Sequence, residues 1–187
     1  MKREHDALRL DVAAFAADGA ALSGRWPGAE LCRLADSQSL PQDMALPEVA
    51  WAVQGERRPV TGSEAELWLT LQVDTHAWLT CQRCLQPLEQ PLMLDRRLRF
   101  VRGEAQAEAL DAESDDDVLA LSRSLDLREL AEDELLLALP LVPRHEACPQ
   151  PLPIAVDADV DAEDEEVRPN PFAALQALKR GPSGGGR

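Results

Sequence analysis

The sequence has 187 residues and a net charge of −15, with 34 acidic and 19 basic side chains. That length is enough for one domain with a hydrophobic core and flanking tails. The apolar runs are too short to span a bilayer, and the first residues are not followed by the apolar segment of a secretory signal. Four cysteines without such a signal indicate a reducing compartment. We therefore expect a soluble, cytoplasmic protein that does not bind a membrane.

The acidity is concentrated in two segments. Residues 104–117 and 157–166 each contain seven acidic side chains and no lysine or arginine. Without those fourteen charges the rest of the chain would carry only −1, so it is nearly neutral. Blocks of like charge usually form solvated loops, and they can also attract a basic partner. We expect residues 104–117 to be such a loop, with at most a helical turn.

Short elements are predicted before residue 40. Residues 10–17 are good helix formers, and Asp11 is placed to cap the first turn. Residues 20–26 have weak strand character before a Pro-Gly turn. Residues 30–35 predict a short helix with Cys32 on its apolar side. We expect Cys32 to be a small buried side chain and not a metal ligand.

From residue 49 onward the apolar period changes to two, which is typical of β-strands. A glycine-containing break at 55–59 and a tight connection at Asp74-Thr75 would separate the first strands. The alternating segments are 49–54, 67–73, 76–81 and 92–101. Short connections between successive strands favour an antiparallel meander. The predicted fold class is α+β, an antiparallel sheet packed with a few helices.

The clearest helix is predicted at 125–139. Asp126 is a plausible N-cap with Glu129 at the third helical position, and Pro140 ends the helix. Glu134 falls on the apolar stripe, so we expect its carboxylate to be paired or to reach solvent. The stripe expected to lie on the sheet comprises Leu127, Leu130, Ala131 and Leu137.

The predicted domain covers residues 1–149, and 150–187 read as a flexible acidic tail or tether that ends in a short helix. Asn170 would cap that helix and Pro171 suits its first position. Its apolar stripe could fold back on the domain or bind in a groove of a partner. The candidate partner-binding residues are Phe172, Leu175 and Leu178.

Cysteines in the centre of the chain carry the strongest chemical signal. Cys81 and Cys84 have the spacing of a metal knuckle, and His145 and Cys148 offer a second pair. Together they would form a closed Cys₃His site for a structural zinc ion. Free thiols remain an alternative. So does a thiol-redox pair, although the residues after Cys84 lead back toward a strand and not into a helix.

Motifs for catalysis are absent from the sequence. There is no glycine-rich phosphate loop, no His-Glu-x-x-His and no Gly-x-Ser-x-Gly. We therefore expect neither an enzyme nor a small-molecule substrate. The candidate RNA contacts are Arg83, Arg97 and Arg99, with Trp68 or Trp78 near enough to stack on bases. The alternative is that these arginines pair with nearby acidic side chains.

Three sequence blocks resemble the bacterial YceD family of large ribosomal RNA subunit accumulation proteins. The blocks are Cys81-Gln82-Arg83-Cys84-Leu85, the segment 132–145 (EDELLLALPLVPRH) and the segment 170–180 (NPFAALQALKR). The resemblance implies a non-enzymatic ribosome biogenesis factor required for 23S rRNA accumulation or processing in large-subunit assembly. Its partners would be 23S rRNA or its precursor, ribosome-assembly proteins, or both. The resemblance also places Cys81, Arg83 and Leu85 at the centre of the family signature.

A second functional hypothesis is a protein-binding adaptor or chaperone. Its acidic segments and its C-terminal apolar stripe would hold a basic ribosomal protein or an rRNA-processing nuclease. RNA binding that survives deletion of the chain after Pro153, together with loss of a protein partner, would favour this hypothesis.

Overall fold

The structure is a computed structural model that describes residues 3–62 and 64–149. They belong to one compact unit, Met1–Pro151. The predicted tether and the candidate partner-binding residues Phe172, Leu175 and Leu178 lie outside the described residues, and they stay predictions. No helix in the described part of the chain is long and apolar enough to cross a membrane.

A five-stranded sheet organises the fold, with its strands side by side in chain order. The strands are β1 (Ala21–Trp26), β2 (Val49–Arg58), β3 (Glu66–Thr80), β4 (Pro87–Val101) and β5 (Asp117–Ala120). The first four form an antiparallel meander, and β5 adds in parallel to β4. The helices are α1 (Val12–Ala17), α2 (Cys32–Asp36), α3 (Glu104–Asp111) and α4 (Leu127–Ala138). The α+β class predicted from the alternation is confirmed.

One face of the sheet forms the core with α1, α2 and α4. On β3 the side chains of Leu69, Leu71 and Val73 point inward, as their alternation with polar residues predicts. Phe15 of α1 and Leu135 of α4 are fully buried in the same cluster. The intervening positions of β3 and β4 lie on the opposite, open face, where polar side chains predominate.

A long hairpin of β3 and β4 extends beyond the rest of the sheet. Each strand has 15 residues, and their pairing runs unbroken through Asp74 and Thr75. The tight connection expected at these two residues is therefore wrong. Thr75 points inward and its hydroxyl donates to the Glu48 carbonyl at 3.0 Å, which satisfies a buried polar group. Strand β2 pairs with β3 only as far as Asp74, so the Cys turn lies at a projecting tip.

Gly55 does not end β2, contrary to the sequence expectation. The strand continues to Arg58, and Gly55 is the point where α1 crosses it. A Cβ atom at Gly55 would lie 2.6 Å from Cδ1 of Phe15 and 2.9 Å from Cα of Ala16. Glycine is required here because the helix backbone approaches the strand too closely for any side chain.

Two expectations for the shorter segments are also corrected. Cys32 is exposed, and Leu34 is the residue of α2 that reaches the core. In a helix of only five residues one position faces inward, and Leu34 occupies it. The acidic segment 104–117 is more ordered than the expected loop, because α3 occupies residues 104–111 and β5 begins at Asp117.

Helix α4 begins as predicted. The Asp126 carboxylate accepts hydrogen bonds from the backbone N–H groups of Arg128 and Glu129. Its buried positions are Leu127, Ala131, Glu132 and Leu135, whereas Leu137 is 76 % exposed and does not join the stripe. Glu134 lies 3.0 Å from Nε of Arg96 on β4, so the expected pairing of this carboxylate is confirmed.

Candidate metal centre

The turn between β3 and β4 directs two sulfur atoms inward. Its backbone is closed by hydrogen bonds from the Cys81 N–H to the Gln86 carbonyl (3.0 Å) and from the Leu85 N–H to the Cys81 carbonyl (2.9 Å). Leu85 has a φ of 58°, in the left-handed region that completes such tight turns. Cys81 is fully buried and Cys84 is 4 % exposed, so neither thiol faces open solvent.

The segment after α4 comes to meet this turn. The Gln82 N–H donates to the Pro143 carbonyl at 2.8 Å, which brings the second predicted pair into place. Sγ of Cys81 then lies 3.9 Å from Sγ of Cys148, and Sγ of Cys84 lies 3.4 Å from Nδ1 of His145. The four ligand atoms all lie within 4.8 Å of one another, so this cluster could hold a metal ion. The sequence predicted this grouping.

The distances fit tetrahedral coordination. Metal–sulfur bonds of about 2.3 Å and metal–nitrogen bonds of about 2.0–2.1 Å place tetrahedral ligands about 3.8 Å apart for two sulfurs and about 3.5 Å apart for sulfur and nitrogen. The Cys81–Cys148 sulfur pair lies at 3.9 Å, and the Cys84 sulfur lies 3.4 Å from Nδ1 of His145. Two of the six pairs therefore already have tetrahedral spacing, and the other four lie within 4.8 Å.

The orientation of His145 also suits a metal ligand. Its Nε2 atom lies 3.1 Å from the carbonyl oxygen of Pro87, which can only accept a hydrogen bond. In the neutral ring Nε2 therefore carries the proton, which leaves the lone pair of Nδ1 directed toward Cys84. Metal-bound histidines are commonly fixed by such a bond from the other ring nitrogen.

The surroundings of the two knuckle thiols shift their pKa values in opposite directions. Burial raises the pKa of Cys81, but the backbone N–H groups of His145, Cys84 and Arg83 point at its sulfur and lower the pKa to about 5. Burial raises the pKa of Cys84, and the neighbouring sulfurs of Cys148 and Cys81 raise it further. The lowered pKa of Cys81 favours its thiolate, the form that binds metals.

Arg83, a candidate RNA contact, is turned toward the cluster. Its Nε donates to Sγ of Cys148 at 3.0 Å, and its Nη2 donates to the His145 carbonyl at 2.7 Å and to the Glu146 carbonyl at 3.3 Å. Sequence reasoning placed this residue inside the turn but gave no signal for the direction of its side chain.

The other two candidate RNA contacts lie near the base of the hairpin. The Arg97 guanidinium lies over the ring of Trp68, 5.0 Å from its centroid, and Arg99 pairs with Glu66 at 2.9 Å. Arg58 lies 5.0 Å from the same ring centroid. Arg58 is not among the predicted RNA contacts, because its place beside Trp68 depends on the β2–β3 register.

The three candidate RNA contacts therefore do not form one surface. Arg97 is opposite Thr70, whereas Pro87 closes the hairpin at the tip beside Arg83. Arg97 is ten positions along β4 from Pro87, which corresponds to about 33 Å. Trp78, the other predicted stacking residue, lies in the outer half of the hairpin next to His76.

Comparisons with known proteins identify the family. Residues 69–179 match the family described as large ribosomal RNA subunit accumulation protein YceD. A similar curated protein, the large ribosomal RNA subunit accumulation protein YceD of Haemophilus influenzae, is 37 % identical over 113 residues. That alignment covers 59 % of this chain and 63 % of the relative, which is less than two thirds of its length. No solved structure matches. Because the family match covers more than half of the residues and includes all four clustered ligands, the chain belongs to the YceD family.

Proposed function

We propose that this protein is a non-enzymatic ribosome biogenesis factor, required for the accumulation or processing of 23S rRNA in the cytoplasm. The observation that carries the proposal is the family match over residues 69–179, which contains most of the long hairpin, helix α4 and the Cys/His cluster. The absence of catalytic motifs from the sequence is consistent with a binding role.

Zinc is the proposed occupant of the Cys/His cluster. Cys81, Cys84, His145 and Cys148 form the thiolate and imidazole set that zinc prefers in closed structural sites. With four protein ligands, no coordination position is left for a substrate. The bound ion would tie the hairpin tip to the segment that follows α4, and so would give the tip a fixed shape.

The proposed RNA surface is the arginine–tryptophan stack, defined as Arg58, Trp68 and Arg97. Trp68 is only 5 % exposed because the two guanidinium groups cover its ring, and its Nε1 donates to Glu66. Arg97 is exposed on the open face of the sheet, and its charge acts on the Glu56 carboxylate, which pairs with Arg58 at 2.6 Å. A guanidinium held in this way presents an outer face for stacking on a base and donors for phosphate.

The function is tested in cells that lack the gene. We expect such cells to contain less 23S rRNA relative to 16S rRNA, and a plasmid copy of the wild-type chain to restore the ratio. The variant Arg97→Glu should restore it incompletely at an equal protein level. A normal 23S to 16S ratio in the deletion strain would contradict the proposed function.

A second candidate, the adaptor for a basic protein, is favoured by the charge of the described body. Helix α3 and the residues up to Asp117 place seven acidic side chains at one edge of the sheet, beside β5. Such a surface repels RNA and attracts a basic protein segment. Crosslinking in cells, followed by identification of attached RNA and attached protein, separates the candidates. Recovery of 23S rRNA supports the first, and recovery of one basic protein without RNA supports the second.

A further inference from the structure

We propose that Arg83 is a positioning residue of the metal centre, which clamps the Cys148 sulfur and closes the segment 143–148 onto the hairpin tip. This role rests on the proposed zinc site and deepens it. It also removes Arg83 from the set of RNA contacts.

The Arg83 side chain makes its hydrogen bonds to one loop, the segment 143–148. Two of its nitrogens make three hydrogen bonds, to Sγ of Cys148 and to the carbonyl oxygens of His145 and Glu146. The N–S distance of 3.0 Å is short for a hydrogen bond to sulfur, so the guanidinium is in close contact with this atom. Within the described residues only Nη1 is left without a hydrogen bond, so little of the guanidinium remains for a phosphate group.

The position of Arg83 in the chain makes the clamp effective. Its backbone lies between Cys81 and Cys84 and is fixed by the closed turn. Its side chain holds both residues of the second pair, His145 through its carbonyl and Cys148 through its sulfur. One residue therefore couples the two halves of the ligand set, which are separated by sixty residues of sequence.

The positive charge of Arg83 also suits this role. Three thiolates around a divalent ion leave a net charge of −1, and the guanidinium of Arg83 balances it directly at Cys148. Cys148 is the partly exposed sulfur of the three, whereas Cys81 and Cys84 are buried. A hydrogen bond to a coordinated thiolate withdraws electron density and makes the sulfur less reactive. The clamp is thus placed on the ligand that solvent and alkylating reagents reach first.

The test compares four full-length proteins: wild type, Arg83→Gln, Arg83→Lys and the control Arg144→Gln. Arg144 lies in the same segment and is exposed, and its replacement removes the same charge. Zinc transfer to the chromophoric chelator 4-(2-pyridylazo)resorcinol gives the release rate. Mass spectrometry after a pulse of N-ethylmaleimide shows which cysteine is modified. Circular dichroism reports whether each variant is folded.

We expect Arg83→Gln to release zinc at least about tenfold faster than wild type, because partners of metal ligands commonly contribute 10–100-fold to affinity. Cys148 should be alkylated ahead of Cys81 and Cys84, at unchanged secondary structure. Arg83→Lys keeps the charge but loses the fork, so it should give an intermediate rate. If Arg83→Gln does not fold, the zinc release rate of Arg83→Lys tests the role of Arg83 in its place.

The outcomes separate the two proposals. Stoichiometric zinc in wild type, with equal release from wild type, Arg83→Gln and Arg83→Lys, would overturn the role of Arg83 and leave the zinc site intact. Equal acceleration by Arg144→Gln would overturn it as well, because the effect would then follow net charge and not the clamp. Wild-type protein purified without chelator that contains no zinc would overturn both.

Discussion

At the scale of single residues, the buried carboxylate of Glu132 connects two helices. It is 7 % exposed and accepts hydrogen bonds from the backbone N–H groups of Arg33 (2.7 Å) and Leu34 (3.1 Å) at the start of α2. The Arg33 guanidinium adds two more, at 2.9 and 3.1 Å. Helix α2 has no side-chain cap of its own. A residue of α4 therefore caps it, and the negative charge faces the positive end of its backbone dipole.

Replacement of this residue tests the cap. Glu132→Gln keeps an oxygen acceptor but loses the charge and turns an amide group toward Arg33. We expect the free energy of unfolding, measured by urea denaturation at pH 7, to fall by about 1–2 kcal/mol. Glu108→Gln on the exposed side of α3 is the control for the loss of a charge and should change it by less than about 0.5 kcal/mol. Equal effects of the two substitutions would contradict the cap.

The difference in the free energy of unfolding between wild type and Glu132→Gln should also depend on pH, which is a separate prediction. Burial raises the pKa of Glu132, but hydrogen bonds from the Leu34 backbone and from Arg33 outweigh it and lower the pKa below that of an unfolded chain. A carboxyl group with a lowered pKa stabilises the fold above its unfolded pKa of about 4.3, and the contribution disappears as the pH falls through the folded value. The gap between wild type and Glu132→Gln should therefore shrink from pH 7 to pH 3. A constant gap over that range would refute the lowered pKa.

At the scale of elements, the phase of the apolar pattern indicated the extent of the strands better than the turn propensity of single residues did. Asp74 and Thr75 have the composition of a turn, yet Thr75 falls on the inward phase of β3 and Asp74 on the outward one. Gly55 likewise continues the inward phase of Val53. Sequence could predict the strands, because their period is local. It could also predict the ligand grouping, because His145 and Cys148 are the only other pair of Cys and His residues at a close spacing. It could not predict where Cys32 or the Arg83 side chain points, since tertiary contacts decide both.

The contact between α1 and β2 gives a prediction about packing. Gly55→Ala would place a methyl group 2.6 Å from the Phe15 ring and 2.9 Å from the backbone of Ala16. We expect a loss of about 1–3 kcal/mol in the free energy of unfolding, because the helix must move away from the strand. Ala52→Val adds more volume on the open face of the same strand and should be close to neutral. A neutral Gly55→Ala, measured by the same denaturation, would show that the helix can shift freely.

At the scale of the whole molecule, the hairpin separates two regions. The arginine–tryptophan stack lies near its base, and the Cys/His cluster lies at its tip about 33 Å away. The core extends along the hairpin between them, as far as Leu79. None of the four cluster residues belongs to the hydrophobic core of the described residues, although Cys81 and Cys84 are buried. The proposed zinc ion should therefore order the tip without being required for the sheet.

Metal removal tests this separation. With Cys148→Ser, or after dialysis against a chelator, amide hydrogen exchange should increase in residues 81–87 and 141–148 and stay unchanged in the centre of β3. The control is Cys32→Ser, which removes an exposed thiol outside the cluster and should alter neither segment. Loss of exchange protection throughout the sheet would mean that the fold itself depends on the metal.

The last prediction concerns RNA binding by the whole chain through the arginine–tryptophan stack. The body is acidic, so binding must depend on local cations and not on net charge. Arg97→Glu should weaken binding to 23S rRNA fragments in a filter-binding titration. If Arg97 contacts a phosphate, the slope of log K against log salt should become shallower by about one. The matched control is Arg25→Glu on edge strand β1, which makes the same charge change at another exposed position of the sheet. Equal weakening by both substitutions would show a general electrostatic effect, and the stack would then not be the RNA surface.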